Sequence, residues 1–237
     1  MRPNSSLPIC SLDAVQQFIQ AEAASRLGLI QVLAPTENMS LLIVYHTVTG
    51  TTLKLAEAVL EGAREVGPAE MHCINGSDIH SGRFVNDSLL EAIDRSTGVL
   101  FGTPTFMGGP TAQFKAFADA TGDRWAEARW SGKVAGGFTI GTNPSGDQLS
   151  TLVQLCIFAA QHGMIWSGLD LPRGTDPHGR NRLGAHLGLV ADSQDGSVAD
   201  VDCATAKYLG NRTARIAHYL QVGANNSSKP TPRRGAA

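Results

Sequence analysis

The chain has 237 residues, 42% of them hydrophobic, and a formal net charge of −2 at pH 7. These values predict one large globular domain and argue against a nucleic-acid-binding surface, which needs clustered lysine and arginine side chains. No apolar run approaches the ~18 residues of a membrane span, and residues 1–4 lack the hydrophobic block of a signal peptide, so we expect a cytoplasmic protein.

Residues 1–39 precede the first predicted strand and are interpreted as a helical N-terminal extension. Residues 13–33 carry a partial apolar stripe, Ser11 is a candidate N-cap, and Pro35 follows the predicted helix. The extension could pack on the main domain, contact a neighbouring subunit or remain partly disordered. We place the main domain at residues 40–222.

A strand, a threonine-rich loop and an amphipathic helix follow one another from residue 41. The strand ends at Tyr45 and is rich in aliphatic and β-branched residues. The helix places four apolar residues on one face, namely Ala56, Val59, Leu60 and Ala63. Because the unpaired amides of its first turn and the positive end of its dipole face the loop, we expect an anion to bind there.

The composition of this loop narrows the choice of anion. The loop contains neither G-x-G-x-x-G nor G-x-x-x-x-G-K-[ST], which argues against a dinucleotide and a nucleoside triphosphate. Four threonine hydroxyls, one glycine and no lysine or arginine fit a monophosphate dianion held by neutral donors. The alternative is a threonine-rich turn that binds no ligand. The candidate phosphate contacts are Thr47, Val48, Thr49, Gly50, Thr51 and Thr52.

This segment resembles the T-x-T-G-x-T phosphate loop of the flavodoxins, which bind FMN. The resemblance implies an α/β fold with a doubly wound, five-stranded parallel sheet in the order 2-1-3-4-5 and helices on both faces. It also implies that residues 47–52 bind the phosphate of FMN.

The next elements continue the alternation of strands and helices. We predict a strand at 69–74, a loop at 75–84, a helix at 89–95 capped by Asn86 or Asp87, and a buried strand at 98–102. The four cysteines lack C-x-x-C spacing, which indicates neither a zinc site nor a cysteine-ligated cluster. Cys73 and Cys156 are expected to be reduced core residues.

The loop after the strand at 98–102 would lie at the carboxyl edge of the sheet, where doubly wound folds bind ligands. Two prolines stiffen this loop, and two glycines allow its backbone to approach a flat ring. Thr105 could donate a hydrogen bond and Phe106 could supply an apolar face. The candidate cofactor contacts are Pro104, Thr105, Phe106, Met107 and Gly108.

A helix with Phe114 and Phe117 on one face follows, and the segment 121–125 then leaves Trp125 in a loop. This tryptophan could be a surface plug, could stack on substrate or could cover the site of a neighbouring subunit. We name Trp125 as the candidate substrate contact.

The remaining elements are predicted to be a strand at 133–139, a helix at 148–161, a strand from Met164 and a final helix at 201–220. The apolar stripe of the helix at 148–161 is assigned to Leu149, Leu152, Val153, Cys156 and Ala160. The long loop at 168–184 could offer arginines to a nicotinamide dinucleotide phosphate, and a solvated loop is the alternative. These arginines are Arg173, Arg180 and Arg182. The tail at 223–237 is predicted to be disordered.

A second resemblance covers residues 41–220. The segments 102–105, 113–117, 120–122, Trp125, 132–133 and 162–164 together are similar to WrbA-type NAD(P)H:quinone oxidoreductases and, more broadly, to flavodoxin-like NADPH-dependent FMN reductases. These are FMN enzymes that usually form tetramers. The resemblance implies ping-pong hydride transfer from NAD(P)H through FMN to a quinone or similar small acceptor, in a homodimer or homotetramer.

The same resemblance assigns roles to further residues. The loop after the fourth strand would wrap FMN with backbone amides, which adds Ile140, Gly141, Thr142, Asn143 and Gly146 to the candidate cofactor contacts. His162 could contact the flavin or the acceptor, as a cofactor ligand or a catalytic residue. Alternatively, it is a helix C-terminal histidine that interacts with the last carbonyls.

Several positions depart from the quinone reductase pattern. The family commonly has an aromatic residue and a histidine at the positions of Thr49 and Thr51, an arginine at Phe106 and a histidine at Gln161. A flavodoxin-type single-electron carrier is therefore retained as an alternative, although the near-neutral charge, Trp125 and the basic loop argue against it. A flavin-free structural or regulatory protein with the same fold is a third hypothesis.

Overall fold

The computed structural model describes residues 41–172 and 174–227. The predicted N-terminal extension and residues 228–237 of the predicted tail lie outside the described residues. Among the described residues, no helix combines the length and the apolar character of a membrane span.

The structure alternates strands and helices along the chain. The elements are β1 (Leu41–Tyr45), α1 (Thr51–Arg64), β2 (Ala69–Cys73), a 3-10 turn (Gly76–Asp78), β3 (Ile79–His80), β4 (Arg83–Phe84), α2 (Asp87–Arg95), β5 (Gly98–Pro104), α3 (Ala112–Asp119), α4 (Gly122–Ala126), β6 (Val134–Gly141), α5 (Gln148–Gln161), β7 (Ile165–Trp166), β8 (Leu189–Asp192) and α6 (Asp200–Ser227).

The central sheet is parallel and has the strand order β2-β1-β5-β6-β7. This order confirms the predicted doubly wound topology. The fifth position of the sheet is shared by two short strands, since β7 pairs with the first half of β6 and β8 with its second half. Residues 167–188 leave the sheet between these strands, and we call them the insert.

Helices cover both faces of the sheet because the side chains of each strand alternate between two cores. Leu41 and Ile43 of β1 pack into a cluster with α1 and α6. Leu42 and Val44 pack into a second cluster with α2, α3 and α5. The second cluster contains several edge-to-face aromatic pairs, for example Phe101 with a ring of α3. A sheet buried on both faces explains the unbroken apolar runs of β1 and β5.

Three predictions need correction. The bounds of α5 match the prediction, but Leu149 and Val153 of the predicted apolar stripe are exposed, whereas the buried positions include Leu155. The free thiols of Cys73 and Cys156 are only half-buried. Helix α6 continues to Ser227, so the predicted domain end at residue 222 falls within a helix.

Candidate functional site

The phosphate loop, residues 47–52, connects the carboxyl end of β1 to the first turn of α1. Gly50 has φ 91°, a left-handed conformation that favours glycine, and its carbonyl accepts the hydrogen bond of Lys54 N–H at 3.0 Å. The Thr47 hydroxyl oxygen accepts a hydrogen bond from Gly50 N–H at 3.2 Å. The loop therefore turns tightly enough to aim the first amides of α1 into its own concave side.

Thr52 carries the clearest sign of a ligand in this loop. Its side chain is fully buried, and its Oγ1 has no hydrogen-bond partner in the part of the chain that the structure describes. A buried hydroxyl without a partner costs about 1–3 kcal/mol, so a phosphate oxygen at this point would remove a penalty. The first turn of α1 contains no acidic residue. The donor set fits the phosphate of FMN, held by hydroxyls, amides and the helix dipole.

The second loop follows β5 and forms a tight turn. Phe106 and Gly109 exchange backbone hydrogen bonds of 2.9 and 3.1 Å, and the two residues between them, Met107 and Gly108, have φ of 50° and 73°. This geometry belongs to the turn class with two left-handed central residues. Met107 is fully exposed and Phe106 is 51% exposed. The turn presents both side chains at the carboxyl edge of the sheet, where a flat apolar ring could lie against them.

Thr105 has a structural role that differs from the predicted one. Its Oγ1 lies 2.8 Å from the hydroxyl oxygens of both Thr139 and Thr151, and its backbone N–H donates to Ile140 at 2.9 Å. These bonds connect the ends of β5 and β6 to α5. Because its hydroxyl has two protein partners, Thr105 holds the loop in place and does not offer a free donor to a ring.

The third loop, after β6, is held from within by α5. The buried Gln148 side chain donates to the carbonyl of Asn143, and Gly146 N–H donates to the same carbonyl at 3.2 Å. A Cβ on Gly141 would lie 2.8 Å from the Gln148 amide nitrogen, so this position has no room for a side chain. Thr142 and Asn143 are exposed. The side chain of Ile140, by contrast, is in the core, so only its backbone is available to a ligand.

These three loops lie at one edge because β1, β5 and β6 are parallel neighbours whose carboxyl ends meet there. Pro104 ends β5 and Val48 is exposed at the tip of the phosphate loop. The structure thus brings together the residues predicted to bind the phosphate and the ring.

His162 lies at the opposite, amino edge of the sheet. It follows α5, and the next residue, Gly163, accepts a hydrogen bond from Gly132 just before β6 begins. Its ring stacks against Trp130 with centroids 4.3 Å apart, and its Nε2 lies 2.9 Å from Thr121 Oγ1. Burial lowers the pKa of His162 to about 4. The predicted contact of His162 with the flavin of its own chain is therefore wrong, because His162 is a neutral core residue.

Trp125 also lies away from the three loops. It belongs to α4, which follows α3 on the way back to the amino edge, and its side chain is 55% exposed. The neighbouring Arg124 pairs with Asp94 at 3.7 Å, near the end of α2. Trp125 consequently cannot stack on a ring bound by the loops of its own chain.

The arginines of the insert are engaged in ion pairs. Arg180 contacts Asp176 at 2.6 Å and holds the pKa of that carboxyl well below its usual range. Arg182 contacts Asp202 at 2.7 Å and also pairs with Asp192. These two side chains fasten the insert to itself and to α6, so the predicted nucleotide contact does not fit them. Arg173 lies outside the described residues.

Sequence reasoning missed three polar residues at the carboxyl edge. His46 follows β1 directly, Thr111 caps α3, and Ser193 follows β8. The Ser193 N–H donates to Gly141 at 2.9 Å, and its hydroxyl is buried without a partner among the described residues. The available signal for His46 and Thr111 was position, since they adjoin a predicted strand end and the loop that follows one, whereas Ser193 follows a strand that was not predicted.

Comparisons with known proteins agree with this geometry. Residues 39–169 match the sequence model of the NADPH-dependent FMN reductase family. Flavodoxin FldP of Pseudomonas aeruginosa is 34% identical over 188 residues, which cover 76% of this chain and 97% of that protein. NAD(P)H dehydrogenase (quinone) of Archaeoglobus fulgidus is 33% identical over 198 residues, which cover 76% of this chain and 98% of that protein.

The solved structure of the flavodoxin, WrbA-like protein from Agrobacterium tumefaciens is similar at 36% identity and a TM-score of 0.61, over 77% of this chain and 99% of that one. The family match spans β1 to β7, and the relatives align along nearly their whole length. The chain belongs to the NADPH-dependent FMN reductase family and has the flavodoxin-like fold.

Proposed function

We propose that this chain is an FMN-dependent oxidoreductase that transfers a hydride from NAD(P)H to a quinone or similar small acceptor. The observation that carries the proposal is the buried, unpartnered hydroxyl of Thr52 within a phosphate loop at the N-terminus of α1. Family membership and the relative named NAD(P)H dehydrogenase (quinone) support the same activity.

The residues of the site bind and orient the cofactor. The phosphate loop would hold the phosphate of FMN with neutral donors. The turn at Phe106 to Gly109 and the backbone amides of the loop at 141–146 would hold its ring. When bound, FMN supplies the hydride chemistry that side chains cannot provide. We assign no general base, because the role of the protein in this reaction is to position the cofactor.

The exposed side chains of the site suit an apolar, planar acceptor. These are Val48, Phe106 and Met107, which we call the rim. The segments 46–52 and 104–111 contain no lysine or arginine. A quinone is planar and uncharged, so it would bury apolar surface against this rim without leaving a charge unpaired.

A flavodoxin-type electron carrier is the second candidate function. Flavodoxin FldP is 34% identical to the chain, and Asp147 and Asp195 are exposed in loops at the carboxyl edge. Exposed carboxylates near a redox site favour docking of a basic protein partner.

We also propose that the protein is a cytoplasmic homodimer or homotetramer. Helix α5 contains no charged residue, yet Leu149, Val153 and Ile157 form a stripe at four-residue spacing and are 55%, 41% and 56% exposed. A surface of this kind is typical of a protein interface. In such an assembly Trp125 would reach the flavin of a neighbouring subunit, which its own chain does not allow.

The absorption spectrum of the purified protein tests the activity. FMN should bind and give a protein-bound flavin spectrum, and anaerobic addition of NADPH should then bleach it directly. A quinone should restore the oxidised spectrum. A carrier would bleach only after a separate reductase is added. Protein that acquires no flavin spectrum in excess FMN would contradict the whole proposal.

A further inference from the structure

His46 lies between the phosphate loop and the neighbouring strand. It is the residue after β1, it is 6% exposed, and its backbone N–H donates to Gly102 of β5 at 2.9 Å. The next residue, Thr47, begins the phosphate loop. Burial lowers the pKa of His46, so its imidazole is neutral at pH 7.

The His46 ring contacts Thr111, which is the residue after the loop at 104–110, and we call this loop the ring-binding loop. Nδ1 of His46 lies 2.9 Å from Thr111 Oγ1. The same hydroxyl oxygen accepts a hydrogen bond from Phe114 N–H at 3.3 Å and so caps α3. His46 and Thr111 are both buried, although 65 positions separate them in the chain.

A second threonine extends this contact to the beginning of the ring-binding loop. Thr111 N–H donates to Thr103 Oγ1 at 3.2 Å, and the Thr103 hydroxyl donates to the carbonyl of Pro104 at 3.2 Å. Through Thr103 and Thr111, His46 is connected to both ends of the loop at 104–110. We call this connection the His46 network.

We propose that His46 is a positioning residue that fixes the distance between the phosphate loop and the ring-binding loop, so that both ends of FMN bind at once. The inference rests on the proposed FMN site. FMN joins a phosphate and a ring covalently, so its affinity depends on the two subsites being held at one separation, as for any bivalent ligand. A ligand with only one of these parts does not depend on that separation.

The test compares FMN with riboflavin, which has the ring but no phosphate. His46→Ala and Thr111→Val should each weaken FMN binding about tenfold, the effect of one hydrogen bond, and change riboflavin binding less than about twofold. His46→Asn and Thr111→Ser keep a polar atom at the contact and should restore most of the FMN affinity. The double variant should lose no more than either single variant, because both break one connection.

Three results would overturn the inference. These are unchanged FMN affinity in His46→Ala, an equal loss for riboflavin, and additive losses in the double variant. A residue that only stabilised the fold would lower the unfolding temperature without discriminating between the two ligands.

Amide hydrogen exchange of the ligand-free protein tests, independently of FMN, whether His46 connects the two loops. His46→Ala should accelerate exchange at Gly50 and Gly109 together, since both loops lose their common connection. Acceleration in only one loop, or in neither, would contradict the network. If wild-type protein binds no FMN, the proposed function fails, and this measurement still decides the role of His46.

Discussion

The carbonyl oxygen of Lys207 in α6 lies so close to Gly62 in α1 that a Cβ on Gly62 would be 1.8 Å from it. Gly210 makes the reciprocal approach, since its Cβ would be 2.0 Å from the carbonyl oxygen of Val59. The two glycines allow the backbones of α1 and α6 to touch. The helix that carries the phosphate loop is thus positioned directly by the last helix of the fold.

Gly62→Ala should destabilise the protein by about 1–3 kcal/mol, because the new methyl group has no room without separating the helices. Urea unfolding measures this free energy. Gly122→Ala is the matched control, since a Cβ on Gly122 meets nothing within 4 Å; it should be neutral or stabilise by about 0.4–1 kcal/mol. Equal destabilisation by both substitutions would show that close helix contact is not the cause.

Thr52→Val should separate cofactor binding from stability. The hydroxyl has no partner in the ligand-free protein, so its removal should leave the free energy of unfolding unchanged or raise it, while FMN affinity falls about tenfold. Thr213→Val is the control, because the Thr213 hydroxyl is also buried and unpartnered in the described chain but lies in α6, beside Gly136 of β6. Thr213→Val should change the free energy of unfolding as Thr52→Val does, but it should leave the FMN affinity unchanged.

His162 should make folding stability dependent on pH. Its pKa is lowered to about 4 in the folded protein, whereas an unfolded histidine titrates near ~6.5. Between these values the unfolded chain binds the additional proton, so the free energy of unfolding falls as the pH drops from about 6.5 towards 4, by up to about 3 kcal/mol.

His162→Phe removes this titration and can still pack against Trp130. We expect a smaller loss of stability between pH 7 and pH 5 in the variant than in the wild type, even though the variant loses the contact with Thr121. Urea unfolding at several pH values measures the difference. Identical pH dependence of the two proteins would contradict the assignment of His162 as a buried neutral residue.

Val153→Glu should dissociate the proposed oligomer, because it places a charge in the middle of the apolar stripe of α5. Ser150→Glu is the control, since Ser150 is exposed on the same helix but is not part of the stripe. Light scattering after size exclusion measures the molar mass. A wild-type protein that is monomeric at micromolar concentration would contradict the assembly, and an oligomer that survives Val153→Glu would place the interface elsewhere.

The phosphate loop and its flanking elements were predictable from the sequence because they depend on local patterns, whereas the order of the strands was predictable only through the resemblance to the flavodoxins. The unbroken apolar run of β1, the threonine loop and the amphipathic α1 occur within residues 41–64, and the structure has the same boundaries within a residue or two. The bounds of α5 were also correct, since Asp147 and Gly163 interrupt the apolar pattern at its two ends.

The orientation of α5 was not predictable because none of its residues is charged. Without charges to mark a solvent face, periodicity alone selected Leu149 and Val153, which the structure exposes. The packing of Leu152 and Leu155 against the sheet decides the orientation instead. Of the predicted stripe, Leu152 packs in the core, whereas Leu149 and Val153 belong to an apolar face that is exposed.

The contacts of His162 and Trp125 with a ligand of their own chain were wrongly expected because family motifs do not tell at which edge of the sheet a residue lies; the other roles considered for Trp125, a surface plug or a cover for the site of a neighbouring subunit, stay predictions. Chain topology would have corrected this. A segment that follows a helix in a parallel α/β fold returns to the amino edge, whereas ligands bind at the carboxyl edge. His46 could have been found by the same rule, since it follows the predicted first strand; Ser193 could not, because β8 was not predicted.

The divided fifth strand has a consequence for how this protein can vary. Trp166 pairs with Ala135 and Leu189 pairs with Phe138, so only positions 136 and 137 of β6 lie between the two halves. A linker of two residues could close the strand where the chain has the whole insert. The register of the sheet therefore does not depend on the insert, and a shorter connection would leave that register unchanged while removing the buried Leu169 and the contact of Arg182 with α6.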